Sequence, residues 1–383
     1  MTATRVLHAI TMLELGGAQR NTLYTCATLD RARFEVALAS ADSGELLDEA
    51  RALDDVTLFT LPHLRREVRP GADWLALREL RRAIRSFRPD IVHTHSSKAG
   101  VLGRIAARQE HVPIIVHSIH GWGFGRHQSS VARTAFLAAE RLVAPCTTHF
   151  IAVARENLEE GIALHLFDRS RVSVIRSGID LRAFRAGTDG GEFRRSLGIP
   201  DGVPIVLQIS CFKAQKAPER FVAMAASLAR RFPDAHFVLV GDGDLRGRLE
   251  QARAAAGLDG RLHLPGWRRD VAAALAAATV VTLTSRFEGL PRAVVEALAA
   301  GRAVVAMAVN GVVEVIEDGD NGFLVPEGDV AALAERVGRI LDDGDLRQRL
   351  ESRAGCGLEA FDRDIMVRQQ EELYEELRCR SGF

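Results

Sequence analysis

With 383 residues, 47% of them hydrophobic, and 50 Lys and Arg against 50 Asp and Glu, the chain exceeds one hydrophobic core and suits a globular protein of two domains. Its longest apolar run, "VAAALAAATVVTL" from Val271, is shorter than the roughly 18 residues of a spanning helix, and the start "MTATRVLHAITML" reads as a strand and not as a signal peptide. A cytoplasmic protein is expected, and its five scattered cysteines (Cys26, Cys146, Cys211, Cys356, Cys379) exclude a disulfide framework and a paired-Cys zinc site.

The balanced charge hides an asymmetry. Residues 1–187 carry 25 basic and 20 acidic side chains, and residues 188–383 carry 25 and 30. Only three of the basic residues are lysine: Lys98, Lys213 and Lys216. Lysine is a compact point charge where arginine is a planar fork, so a site that keeps Lys against this bias can be one that needs the smaller head.

In chain order, "RVLHAIT", a helix from about Gly17 to Leu29, "FEVALAS", "DIVHTH", "PIIVHSIH", "HFIAVA" and "RVSVIRSGID" alternate strand and helix patterns, the mark of a parallel sheet covered on both faces. Eight arginines lie between Arg65 and Arg88. As a helix from Asp73, this region puts Trp74, Leu77, Leu80, Ile84 and Phe87 on one stripe and Arg78, Arg81, Arg82 and Arg85 largely elsewhere. A solvated basic face has this pattern. So does a helix adhering to anionic lipid, each basic residue contributing roughly 1 kcal/mol, which would place the protein peripherally on the inner face of the plasma membrane. No recognition motif accompanies the arginines, so no nucleic acid is expected.

His93, His95, His117 and His120 follow two apolar runs. His-x-His at a strand end suits zinc and motivates a metallohydrolase alternative, but no carboxylate or Cys stands at ligand spacing, so no metal is expected. Residues 185–204 read as a linker with one short helix, dividing a domain at 1–187 from one at 188–361. The tail from about 362 to 383 has too little apolar surface to stand alone and should pack back on a sheet.

Beyond the linker, "IVLQIS", "HFVLVG", "RLHLPG", "TVVTLTS" and "AVVAMAV" alternate with helices again, giving a second doubly wound unit. Ligands of such sheets bind beyond the C-terminal strand ends. "GDGDLRG" after one strand raises a dehydrogenase alternative, but it has one residue too many for G-x-G-x-x-G. In "RFEGLPRAVVEALAAG", a strand ends, Gly-Leu-Pro turns and a helix begins, with Pro291 at its first position and Gly301 just past its last. The helix start is an anion site, and Gly289 lets the backbone approach a ligand closely. Glu296, roughly 7 Å along the axis at 1.5 Å per residue, can accept hydrogen bonds from a diol beside a phosphate, as in a nucleotide; a solvated helix residue has the same spacing. Glu288 can then face a sugar beyond the phosphate.

Glu288 and Glu296, with seven residues between them, resemble the acidic motif of family 4 retaining glycosyltransferases, whose architecture is GT-B: two Rossmann-like doubly wound domains facing across a cleft. "ELGGAQR", "VHTHSSKAGVLGRIAA", "HSIHGWGF", "VIRSGID", "VLVGDGDLR", "PGWRRDV" and "DNGFLVP" resemble further family motifs in the family's order. The resemblance implies transfer of a sugar from a nucleotide-diphosphate sugar, with retention of configuration, to a glycan or lipid-linked acceptor, without a cofactor or metal. By matched position, Glu296 would hold the ribose, the backbone of Gly289, Leu290 and Pro291 the diphosphate, and Glu288 the donor sugar, with His120 at its reacting face. Lys216 would neutralise the leaving diphosphate. Gly17, Gly241 and Arg268 would also line the donor site, and Gly16, His93, His95 and Lys98 would serve the acceptor. The family's Arg is replaced by Cys211 and a Gly by Ala217; Lys213 is the candidate substitute for the Arg. Asn310, Val313 and Ser177 also depart from the usual Gly, Pro and Asn. A nucleotide-sugar-binding protein without transferase activity would share these motifs.

Overall fold

A computed structural model describes residues 3–122, 130–185 and 188–382. The chain forms two compact units, one of residues 1–178 with 362–383 and one of residues 179–361. The division falls at Gly178, ahead of position 187, which lies outside the described residues together with Gly123 and Phe124 of "HSIHGWGF". The described part of the stretch read as a linker is tied to the second unit: Phe193 and Ile199 are buried in its core, and the Arg194 guanidinium donates to the carbonyls of Pro200, Val203 and Ala277.

The first unit holds a parallel sheet of β1 (Thr4–Ala9), β2 (Phe34–Ser40), β3 (Val56–Thr60), β4 (Ile91–His95), β5 (Ile114–Ile119), β6 (His149–Ala152) and β7 (Val172–Val174), in the order β3-β2-β1-β4-β5-β6-β7. The order reverses between β1 and β4, the point at which such sheets open a crevice at their C-terminal edge. Side chains two apart share a face. Leu7, Ala9 and Val92 therefore pack beneath the helix Pro70–Phe87. Val6, Ile10 and Ile91 face the other way, where the helices Gly17–Thr28 and Arg363–Ser381 cover them.

That second helix is the tail. Asp362 caps it by accepting from the N–H groups of Asp364 and Ile365, and Met366, Leu373 and Tyr374 supply its buried face. Arg33 pairs with Glu371 at 3.1 Å and with Glu375 at 2.5 Å, and Tyr24 donates to Asp364.

The arginine-rich helix starts at Pro70 and not at Asp73, with Pro in the first turn where its missing N–H costs nothing. Leu80, Ile84 and Phe87 are buried as expected, but Trp74 is 56% exposed, with the Arg78 guanidinium 4.7 Å above its ring. Arg66 pairs with Glu14, and Arg81 and Arg85 with Glu110.

The second unit repeats the plan with β8 (Ile205–Ile209), β9 (His236–Val240), β10 (Leu262–His263), β11 (Val280–Leu283), β12 (Val304–Met307) and β13 (Phe323–Val325), all parallel, in the order β10-β9-β8-β11-β12-β13. Its strand order reverses between β8 and β11. No helix among the described residues is long and apolar enough to cross a membrane.

Candidate functional site

At the β8/β11 reversal, two loops are stitched together. After β8, a short turn of Ala214–Lys216 leads to Ala217, whose φ of 43° and ψ of 52° are left-handed. After β11 come Thr284 and Ser285, both fully buried, and then Arg286–Pro291. The Thr284 hydroxyl lies 3.0 Å from Lys216 O, Gln215 Nε2 donates to Phe287 O at 3.0 Å, and Arg286 N–H donates to Gln215 O at 2.8 Å.

These bonds bring Lys216 and Glu288 together. The ammonium sits 2.6 and 2.7 Å from the two carboxylate oxygens, and Ser285 Oγ donates to Oε1 at 2.5 Å. Glu288 is almost wholly buried, with 4% of its side chain exposed, while 21% of Lys216 remains open. A carboxylate withdrawn from water this far needs its charge answered, and a bidentate cation with a hydroxyl does so.

Glu288 leads directly into the turn of Gly289 and Leu290. Pro291 takes the N-cap, one position before the place expected for it; its carbonyl accepts from Val294 and Val295, and the helix runs from Arg292 to Ala299. The helix ends as expected: Gly301 at φ 68° donates to Leu298 O and Arg302 to Ala297 O, the paired bonds of a Schellman motif. Glu296, five residues beyond the turn, keeps 14% of its side chain exposed and meets Arg292 at 3.4 Å. The loop after β12 presses on the turn so closely that a Cβ on Gly311 would lie 1.9 Å from Gly289 O. Asn310 beside it holds φ 25°.

The remaining donor candidates border the same loops. A Cβ on Gly241, at φ 137°, would meet Ser210 O at 2.0 Å, so glycine is required where β9 ends against the β8 loop. Lys213 is exposed, and its ammonium has no hydrogen-bond or ion-pair partner among the described residues. Arg268 forks onto Asp270 at 2.8 and 2.6 Å and stacks over Phe193. Asp242 of "DGD" accepts from Arg246 Nε and from Gly243 N–H, both at 2.8 Å, and the guanidinium holds this carboxyl below the usual range.

At the β1/β4 reversal the chemistry differs. Gly16 is the N-cap of the helix Gly17–Thr28, and a cavity of about 700 Å³ lies nearby, lined by Thr11, Ser96, Lys98, Val101, Leu102 and Phe136. Lys98 pairs with Asp73 at 2.6 Å on its wall. Glu140, which also lines it, takes a 2.7 Å bond from Arg104, a fully buried arginine that donates to Gly100 O as well.

His93 and His95, expected at the acceptor, lie inside the sheet, 0% and 3% exposed. Alternation puts both on the face covered by the tail helix. His93 meets Tyr374 OH at 2.5 Å and Ser118 Oγ at 2.8 Å, and His95 meets His8 and His120, each at 3.1 Å. His8, which sequence reading passed over, stands opposite His93 in the parallel register. Nitrogens of His8, His93 and His95 fall within 4.8 Å of one another, a spacing compatible with a metal, yet both nitrogens of His93 and of His95 are committed to hydrogen bonds. His120 gives Nε2 to His95 and buries Nδ1. Burial holds these imidazoles neutral: His8 is lowered to about 3, His120 to about 4, and His93, His95 and His117 lie well below the ordinary value.

Two parallel-sheet units, each with its loops gathered at a strand reversal, are the domains of the GT-B glycosyltransferase class. Residues 15–183 match the family described as Glycosyltransferase Family 4, and residues 189–355 match Glycosyl transferases group 1. The chain is 33% identical over 344 residues, 88% of each protein, to the UDP-Gal:alpha-D-GlcNAc-diphosphoundecaprenol alpha-1,3-galactosyltransferase of Escherichia coli. It is 37% identical over 165 residues, 43% of this chain and 42% of the other, to the alpha-D-kanosaminyltransferase of Streptomyces kanamyceticus. Among solved structures, Anabaena HepE in complex with UDP-glucose superposes with a TM-score of 0.83 at 22% identity, covering 97% of this chain and 99% of that one. The chain belongs to the family 4 glycosyltransferases and is a glycosyltransferase.

Proposed function

We propose that the protein is a retaining, metal-independent hexosyltransferase that moves a sugar from a nucleotide-diphosphate sugar to a lipid-linked or polysaccharide-precursor glycan. One observation carries the donor reading. Lys216 and Glu288 meet at the entry to the Gly289-Leu290-Pro291 turn, with Glu296 a turn and a half beyond it. The diphosphate then lies against the helix N-terminus and Lys216, the ribose hydroxyls on Glu296 and the sugar at Glu288. Gly17 and Gly241 allow close backbone approach, Lys213 supplies the further cation, the backbone at Arg268 meets the base, and His120 borders the sugar's reacting face. HepE in complex with UDP-glucose supports a nucleotide-sugar donor. Fixed cations do the work of a divalent metal in this reading, since Asp242 is spent on Arg246.

The acceptor reading rests on the cavity near β1 and β4, whose wall is mostly apolar with Lys98 on one side, a lining suited to an amphipathic acceptor beside Gly16. The Escherichia coli relative, named for a diphosphoundecaprenol-linked acceptor, supports it. Exposed Val68 and Trp74, with exposed Arg65 and Arg69 near them in sequence and exposed Arg82 further along the helix that carries Trp74, suit contact with an anionic membrane, the aromatic ring at headgroup level.

Thermal shift with UDP, GDP and ADP identifies the base, and transfer onto a polyprenyl-diphosphate-linked sugar, with the product's anomeric configuration read by NMR, tests the reaction. An inverted product, or turnover abolished by a chelator and restored by a divalent cation, would sink this reading. Flotation with anionic liposomes should fall when Arg65, Arg69 and Arg82 become Gln; equal flotation would end the membrane contact.

A further inference from the structure

His8, His95 and His120 form a file: Nδ1 of His8 faces Nε2 of His95 at 3.1 Å, and Nδ1 of His95 faces Nε2 of His120 at 3.1 Å. In both pairs the ring centroids lie 5.4 Å apart with the nitrogens 3.1 Å apart, the separation of rings joined edge to edge through their nitrogens, so the contacts run close to the ring planes, as hydrogen bonds require. A neutral imidazole carries one proton, and each N···N contact needs one. Only two arrangements satisfy both conditions. Either all three rings are protonated on Nδ1, with donors pointing from His8 toward His120, or all three are protonated on Nε2 and point back.

The ends of the file decide between them. His8 Nε2 is buried without a partner in a fully buried residue, so the second arrangement would strand an N–H there. An orphaned buried donor is rarer in proteins than an unused acceptor. At the other end, His120 Nδ1 also has no partner, but His120 lines a cavity of about 10 Å³ with His95, Thr22, Ser118, Ser177 and Gln370. That is the least room one water needs; Ile151, Val153, Ile175 and Met366 complete the wall, and among the polar groups facing the space Gln370 Oε1 is itself a buried acceptor without a partner.

We propose that His8 and His95 are positioning residues that fix His120 as its Nδ1–H tautomer, with one buried water passing that donor on to Gln370 of the tail helix. His120 then acts by orientation and not by proton transfer, since its basic nitrogen is occupied by His95. This role rests on the reading that His120 borders the donor sugar.

The wild-type protein, labelled with 15N-histidine, tests the tautomers without any variant: long-range 1H–15N correlation should show the bare nitrogen at Nε2 in His8, His95 and His120 alike. A bare Nδ1 at His120, or one stoichiometric zinc in the purified protein, would overturn the proposal. Gln370→Leu, which touches no substrate, removes the acceptor at one end and leaves both arrangements with a stranded donor, so it should populate the reversed tautomers beside the stated ones; a single unchanged set would exclude the water link. His95→Gln should lower kcat roughly tenfold with donor KM within about twofold, the pattern of lost orientation. Turnover unchanged in His95→Gln, with the tautomers as stated, would remove His120 from the donor sugar and the positioning role with it, while the tautomer assignment stands.

Discussion

The two strand reversals solve the same topological problem with opposite chemistry. At β8/β11 the loops carry formal charge, Lys216 on Glu288 and an exposed Lys213, beside a helix N-terminus. At β1/β4 the groups inside the sheet are imidazoles that burial keeps uncharged, bonded to one another and to hydroxyls, and the charges nearby are spent on each other in the pairs Lys98–Asp73 and Arg104–Glu140. The charged reversal suits a diphosphate, whose negative charge must be met.

Acid should separate them with the largest effect. In the first unit His8, His93, His95, His117, His120 and His149 all have depressed folded pKa values. Below about pH 6.5 the unfolded chain binds protons that the native imidazoles refuse, so their stability is complete above that pH and is lost as pH falls toward the folded values. His8, lowered to about 3, would alone cost about 4 kcal/mol by pH 3. Hydrogen exchange followed from pH 7 to pH 4 should show the first unit opening before the second, where His236 and His263 are the lowered imidazoles. The reverse order would erase the contrast.

Lys216→Met attacks the charged reversal. It strands a buried carboxylate at a cost of about 3 kcal/mol in urea unfolding and should lower kcat by roughly 10²- to 10³-fold. Adding Glu288→Gln should recover most of the stability and none of the turnover. On the ribose reading, in which the Glu296 carboxylate accepts from neutral hydroxyls, Glu296→Ala should weaken nucleotide binding by about 2 kcal/mol in calorimetry; unchanged affinity would end the ribose assignment.

Ala217→Gly should change stability by less than about 1 kcal/mol. Relief of a left-handed alanine is offset by the greater chain entropy of glycine and by the loss of one fully buried methyl. Calorimetric melting measures the residue of these terms.

Much of the charged reversal was legible in sequence because its signals are local: a strand, Gly-Leu-Pro, a helix and two glutamates within a short stretch. The Lys216–Glu288 contact was not, since 72 residues separate the partners and only strand order joins them. The neutral reversal was misread for a related reason. His-x-His at a strand end suggested groups facing a ligand, whereas period-two alternation turned both inward, toward His8 and a tail tyrosine that no local pattern connects to them. Trp74 fell outside the buried stripe because a helix starting at Pro70 packs Ala76 and Ala83 against the sheet, and the wider ring projects past them.

Tyr374 lies 281 residues beyond His93, its hydrogen-bond partner. At about 5–20 residues per second of synthesis, the imidazole face of the first sheet waits roughly 15–60 s for its cover, while the second unit emerges whole and can fold in the interval. The first unit is therefore completed only after the second has emerged, and until then its histidines lack the cover that the tail helix gives them.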